Sequence, residues 1–456
     1  MPDRAIKPWI GRSAFTWTGE GGWHTEPTVT SLDTLRQAAA LLAPWGQRFA
    51  DFGGWRLYVV GGAVRRLVSG ATLAAADDVD MTTDAPPETV RRILEGWAEE
   101  IWTQGQQFGT VGCQQAGRLV EITTHRAEVY VSDSRRPEVS YGGDLLEDLA
   151  RRDFTIGAIA FEVPAGAAGA DSVELIDPFG GLEDLRSGRL RTPRAPSLSF
   201  SEDPLRMLRA GRFVATLGVV ADPEVEAAMA ALRDRLAIVS AERCARELSL
   251  LLVGETASAG AHLLARTGVL GELVADLAGD AAAGAELLDA VDPELPLRLA
   301  ALLWSVPAIG PAATRLRFPK EVGRRAGRIA AAARSLLAAA DSPRDDPTVR
   351  RWAASAGRTA PAAVQLAAAV ALDDAGVSDF GQHWRRLEDR EGLSRRSTLS
   401  GIDVMEHLGV SAGPDVGAAL AYLEELRIAE GPLPHEVARR RLSEWWHARG
   451  GASRKP

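Results

Sequence analysis

Strand-forming runs are confined to the first part of this chain, and that confinement limits the folds open to it more than any other feature. Short apolar, β-like runs at residues 57–60, 79–81, 119–123 and 155–161 lie among helical stretches between about Ser31 and Ala160. From about Ser201 onward such runs nearly vanish. The remainder reads as Ala/Leu/Arg-rich helices broken by Gly and Pro, without a fixed-period repeat. The pattern predicts an α+β head and then a long helical body. A chain of 456 residues, 46% hydrophobic, has enough apolar surface for several cores and two to four domains.

The net charge of -9 means that any contact with nucleic acid must come from locally concentrated basic residues. Two segments have that character. Residues 186–212 carry seven Arg against Glu202 and Asp203, and residues 315–335 carry six Arg and Lys320 against Glu321. Each fits either a solvated face or a phosphate-binding stripe. The two cysteines, Cys113 and Cys244, are far apart and predict neither a disulfide framework nor a cysteine zinc site, so a cytoplasmic location is expected. Residues 1–30 hold Trp9, Trp17 and Trp23 among Gly, Pro and Thr; they are expected to be a disordered extension and lack the layout of a signal peptide. No apolar run approaches the roughly 20 residues of a spanning helix, so no membrane partner is expected.

Chemistry concentrates in four places. In the first, residues 57–65, an apolar strand runs into Gly61-Gly62, where missing side chains let backbone amides approach a phosphate, and Arg65 comes next at the start of a helix. The spacing matches neither a dinucleotide fingerprint nor a P-loop. Asp78 and Asp80 then stand two apart in a strand-like run and project from one face, a spacing that suits magnesium. Alone, Asp-x-Asp is commonly a polar strand end. Glu121 in a second strand supplies a third carboxylate, and three on adjacent strands could hold two metals.

The other three places are Asp148-Leu-Ala-Arg-Arg-Asp-Phe-Thr-Ile-Gly157, Asp177-Pro-Phe-Gly-Gly-Leu-Glu-Asp-Leu185 and Phe200-Ser-Glu-Asp-Pro-Leu-Arg-Met-Leu-Arg-Ala-Gly-Arg212. In the last, Ser-Glu-Asp-Pro reads as a helix start with acids at the positive end of the dipole. Capping leaves Arg206, Arg209 and Arg212 unexplained; their spacing lines them along one edge of the helix.

These motifs, in this order, resemble the bacterial-type tRNA nucleotidyltransferases and poly(A) polymerases, class II of the polymerase-beta-like superfamily. Gly-Gly-Ala-Val-Arg with Asp78-Val-Asp80 is similar to the family's metal motif, and Arg151-Arg-Asp-Phe-Thr to its second. Asp177-Pro-Phe-Gly-Gly resembles the third, Glu202-Asp-Pro-Leu-Arg206 the nucleotide-selecting motif, Glu242-Arg-Cys-Ala-Arg-Glu247 the helix that braces it, and residues 400–417 the C-terminal segment. The resemblance implies a polymerase-beta-like nucleotidyltransferase head, a small mixed sheet with helices, at 31–185. An all-helical neck (186–254), body (255–375) and tRNA-binding tail (376–456) would complete the chain.

It also implies roles. Asp78 and Asp80 would ligate Mg2+, with Glu121 as a third catalytic carboxylate. Gly61, Gly62, Arg65 and Arg152 would contact the incoming triphosphate. Asp203 and Arg206 would read the base edge, with Arg209 and Arg212 alongside; a carboxylate plus a guanidinium suits the Watson-Crick edges of cytosine and adenine. Arg126, Asp133, Arg135 and Arg136 would belong to a flexible loop that switches the pocket from C to A. The expected activity is template-independent addition of CMP and AMP from CTP and ATP to the tRNA 3' end. The alternatives are an A-adding enzyme, a CC-adding enzyme and a poly(A) polymerase. A small-molecule nucleotidyltransferase would not need so long a helical body, and an inactive RNA-binding protein would not need the intact motif set. The oligomeric state is left open. Three positions depart from the family pattern: Arg66 replaces an Asp, Gly157 an Asn, and His125 a Phe.

Overall fold

The computed structural model describes residues 29–74, 77–103, 109–129, 138–141, 144–274, 277, 281–339, 345–372, 374–393 and 398–450. The chain divides into two compact units, Met1–Val239 and Ser240–Pro456.

In the first unit, helix α1 (Val29–Gly53) leads into strand β1 (Leu57–Val60), helix α2 (Gly62–Val68), β2 (Val79–Thr83) and α3 (Pro87–Leu94). Strands β3 (Glu100–Trp102), β4 (Thr110–Gln115) and β5 (Arg118–Thr124) come next, then the antiparallel pair β6 (Arg126–Val129) and β7 (Glu138–Tyr141). Helix α4 (Leu145–Ala150), strands β8 (Ala160–Glu162) and β9 (Leu175–Ile176) and helix α5 (Gly181–Ser187) complete the head. Seven strands form one sheet in the order β3-β4-β5-β2-β1-β8-β9, with β2 and β5 parallel and every other neighbouring pair antiparallel. The mixed sheet expected of the α+β head is therefore present.

Strand β1 is apolar at every position because both of its faces are covered. Leu57 and Val59 enter a core with α1, α2 and α3, including Phe49, Val64 and Ile93, whereas Tyr58 and Val60 enter a second cluster with Leu149 and Ala160. The alternation passes to the neighbouring strands. Val79 and Met81 of β2, and Val120 and Ile122 of β5, point into the first core, so Asp80 and Glu121 must face the other way.

The run at 155–161 is only half a strand. Thr155–Gly157 is a 3-10 turn, and the strand begins at Ala160. The Thr155 hydroxyl donates to the buried Asp184 carboxylate at 2.6 Å and its amide to the Arg191 carbonyl at 2.9 Å, which bends the segment against α5. A Cβ on Gly181 would stand 2.1 Å from the Thr155 carbonyl oxygen, so only glycine permits this approach.

Beyond the head, β10 (Arg189–Leu190) pairs in parallel with β11 (Val220–Ala221) around helices α6 (Pro196–Glu202) and α7 (Leu205–Leu217). The helix start read at Ser-Glu-Asp-Pro is displaced: Glu202 ends α6, and Asp203 is the residue after it. Asp203 still serves α7, its Oδ1 accepting the Leu205 amide at 3.1 Å. Among its described residues the second unit contains helices and no strand, from Ala241–Leu252 to His435–Ala448.

Candidate active site

The site lies where β1 ends. Gly61 has φ 71° and ψ -131°, a conformation costly for any residue with a side chain, and it turns the chain from β1 into α2. A Cβ there would sit 3.5 Å from Arg152 Nη1 and 3.8 Å from Asp80 Oδ2, so the turn, the second motif and the Asp-x-Asp strand meet at this glycine. Asp80 is the register partner of Glu121 on the parallel strand β5, and Asp78 immediately precedes β2. All three carboxylates are exposed. Surrounding protein still desolvates Asp80 and pushes its carboxyl above the usual range; Arg152 and Arg209 pull it down, and Asp78 pushes it up.

Among the described residues no three His, Cys, Asp or Glu side chains gather closely enough to hold a metal by themselves. Asp78, Asp80 and Glu121 therefore present an open face rather than a closed cage. That donor set fits a hard cation such as magnesium, which takes one or two carboxylates and completes its shell with water and substrate phosphates.

The arginines are set by their partners. Arg152 comes just after α4, and its Nη2 donates to Asp148 Oδ2 at 3.2 Å, one helical turn earlier. Arg65 on α2 and Arg212 on α7 both lie against the ring of Phe213, at 5.4 and 4.7 Å from its centroid, and Phe154 meets the same ring edge-on. Burial, Arg212 and Arg66 push the Arg65 guanidinium down to about 10, so two cations are held close on one aromatic ring. Gly62 borders them, since a Cβ there would lie 3.8 Å from Arg65 Nη2.

Arg206 is a structural hub as well as the expected base reader. Its Nε lies 3.2 Å from Asp153 Oδ1, Nη1 bonds Ser199 Oγ at 2.9 Å and approaches Glu202 Oε2 at 3.3 Å, and Nη2 donates to the Arg151 carbonyl at 2.6 Å. Arg209 Nη1 takes the other oxygen of Asp153 at 2.6 Å. One carboxylate thus fixes two of the three arginines that sequence spacing aligned.

Ion pairs also revise the charge reading. In the segment 186–212, Arg186 pairs with Glu183, Arg189 with Asp222, Arg191 with Asp184 and Arg194 with Glu202. The apparent surplus is largely answered by acids outside the segment, because folding and not sequence order sets which charges are neighbours. The segment 315–335 behaves similarly within the second unit, where Arg317 pairs with Glu242, Arg324 with Glu321 and Arg325 with Glu294.

Asp177 of the third motif accepts the Gly181 and Leu182 amides at 2.7 and 2.9 Å, so this motif fixes the turn that opens α5. Sequence reasoning placed Asp148 and Asp153 in the second motif without a role for either, and it missed Phe213. Asp148 stands four residues before Arg152 on a helix, a spacing that signals an ion pair; nothing local marks the partners of Asp153 or Phe213. Of the departures, Arg66 pairs with Asp77 at 2.9 Å, buried His125 packs against Tyr58 with centroids 5.8 Å apart, and Gly157 leaves open space where a side chain would stand. Arg126 begins β6, while Asp133, Arg135 and Arg136 lie outside the described residues.

A family profile described as the poly A polymerase head domain matches residues 57–191, and one described as a probable RNA and SrmB-binding site of polymerase A matches residues 221–279. The CCA-adding enzyme of Geobacillus stearothermophilus is 34% identical over 388 residues, covering 80% of this chain and 87% of that protein. The crystal structure of the Bacillus stearothermophilus CCA-adding enzyme in complex with CTP superposes with a TM-score of 0.68 at 29% identity, covering 94% of this chain and 99% of that one. The Thermotoga maritima CCA-adding enzyme complexed with tRNA shares the fold, with a TM-score of 0.66 at 17% identity over 92% of this chain and 98% of that one. Identity sustained across both units, on a head whose first two motifs meet at Gly61, shows that this chain belongs to the family of bacterial-type tRNA nucleotidyltransferases and poly(A) polymerases.

Proposed function

We propose that this protein completes tRNA 3' ends by adding CMP and AMP from CTP and ATP without a nucleic-acid template. The observation that carries the reading is the meeting of Asp80 and Arg152 at Gly61, with Arg209 close enough to act on the Asp80 charge, in a chain related along most of its length to CCA-adding enzymes. The RNA 3'-hydroxyl attacks the α-phosphorus, the bond to the bridging oxygen breaks, and pyrophosphate leaves with the hydroxyl proton passing to solvent or phosphate.

Asp78 and Asp80 would hold Mg2+, with Glu121 beside Asp80; when bound, the ion would lower the pKa of the attacking hydroxyl and neutralise phosphate charge. Arg152, Arg65 and Arg212 orient the triphosphate and offset its charge. Asp203 and Arg206 read the base edge. Asp153, Glu202 and Ser199 hold the Arg206 guanidinium in one orientation, so that reading needs little reordering. Residues 376–456 bind the tRNA, and the reaction takes place in the cytoplasm. No described helix is long and apolar enough to cross a membrane.

The test uses tRNA ending before CCA, after C and after CC, each with CTP, ATP or both. Complete CCA addition to the first substrate is the expected product. Extension only of the CC-ending tRNA would identify an A-adding enzyme, a stop at CC would identify a CC-adding one, and long A tails would identify a poly(A) polymerase.

A further inference from the structure

Arg66, on helix α2, is held in a largely buried ion pair. Its Nη1 lies 2.9 Å from Asp77 Oδ1, with only 21% of the Arg66 side chain and 16% of the Asp77 side chain exposed. The second oxygen of Asp77 accepts the Ala74 amide at 2.7 Å. Arg118, at the start of β5 and buried, donates Nη1 to the Ala74 carbonyl at 2.9 Å. The Ala71 amide in turn donates to the Arg66 carbonyl at 3.0 Å. These bonds tie Asp77 to α2, the helix that opens at Gly62, and tie Ala74 to β5, the strand that carries Glu121. The knot ends one residue before Asp78.

The charges are arranged to make this tie firm. Burial lowers the Arg118 guanidinium, while Asp77 raises it and Arg66 lowers it, so one carboxylate serves two nearby cations. Removing that carboxylate leaves both guanidiniums poorly compensated in a partly buried place. A backbone anchored on both sides has little freedom in how it presents the next side chain.

We propose that Arg66 and Asp77 are positioning residues that fix the Asp78 carboxylate beside Asp80 for cation binding. The inference rests on the assignment of Asp78 and Asp80 as cation ligands. It predicts that the charge relationship matters and that the identity of each partner does not. Partners that orient a metal ligand typically change metal affinity by about 10-fold or more when removed.

The experiment measures Mn2+ binding to the full chain by electron paramagnetic resonance, with no nucleotide or RNA present, alongside thermal melting. Arg66→Ala and Asp77→Asn should each weaken Mn2+ binding by about 10-fold. The double variant Arg66→Asp with Asp77→Arg, which reverses the pair, should restore it. Asp77→Asn keeps the side-chain shape and an acceptor for the Ala74 amide, so it carries the test even if the reversal lowers the melting temperature. With CTP and tRNA, the single variants should lose kcat and require more cation while KM for tRNA holds, a split that general destabilisation would not give. Wild-type Mn2+ affinity in Asp77→Asn would overturn the proposal, as would a reversed pair that melts like the parent but binds as weakly as the singles. Asp78→Ala separates the two layers: unchanged Mn2+ binding there overturns the ligand assignment itself, whereas loss there with normal binding in Asp77→Asn overturns only the positioning role.

Discussion

Arg206 and Asp153 form an ion pair of 3.2 Å that ties helix α7 to the Arg151-Arg-Asp motif, with Asp153 turning its second oxygen to Arg209. The pair has two consequences. It orients the guanidinium assigned to base reading, and it makes that guanidinium part of the packing.

Asp203→Ala and Arg206→Ala should therefore behave differently, although both belong to one motif. Asp203→Ala removes the acceptor of the Leu205 amide and should cost about 1 kcal/mol of stability. Arg206→Ala removes one of two arginine partners from each of Asp153 and Glu202, which keep Arg209 and Arg194, together with the bond to the Arg151 carbonyl, and should cost about 2 kcal/mol. Both should admit UMP or GMP. Denaturant melts and misincorporation assays separate the effects, and a folded Asp203→Ala protein with full selectivity for C and A would reduce Asp203 to a cap.

Asp78→Ala and Asp80→Ala should abolish nucleotide addition without lowering melting temperature or tRNA affinity. Both side chains are exposed and contribute little packing. Incorporation at the parent rate by either variant would remove it from the cation site.

The elevated Asp80 carboxyl makes a stability prediction with a definite sign. Desolvation raises its pKa in the folded state, so between the unfolded and folded values the unfolded chain binds fewer protons. Stability then falls as pH rises through that window, and the full cost is present at neutral pH. With a chelator present, Asp80→Asn should melt above the parent at pH 7, and the difference should shrink toward about pH 4, near the ordinary Asp value. A difference independent of pH would contradict this.

Gly61→Ala tests the turn. Its φ and ψ lie where a side chain costs about 1–3 kcal/mol, so relief of that strain would shift a turn that lies in contact with Arg152 and Asp80. Triphosphate KM should rise for CTP and ATP alike, measured at saturating tRNA, with base selectivity unchanged.

By itself the sequence determined the division between an α+β head and a helical remainder, because strand and helix periodicities are local. It also carries the candidate chemistry of the site. Gly61, Asp78 and Asp80 are legible from a turn residue and a two-residue alternation, and the ordered motifs identify the family. Only the tertiary structure decided which charges face one another. Arg206 and Arg209 sit on one helix edge by spacing, but their shared partner Asp153 comes from another part of the chain. The Arg-rich segment 186–212 fits a solvated face or a phosphate-binding stripe by sequence, and only the fold places Asp184, Asp222 and Glu183 beside its arginines. The turn at Thr155 likewise depends on Asp184 and on glycine at 181, partners well separated from it along the chain. Backbone preferences act over a few residues and can be read along the chain, whereas ion pairing depends on distances that exist only after the sheet and helices have packed.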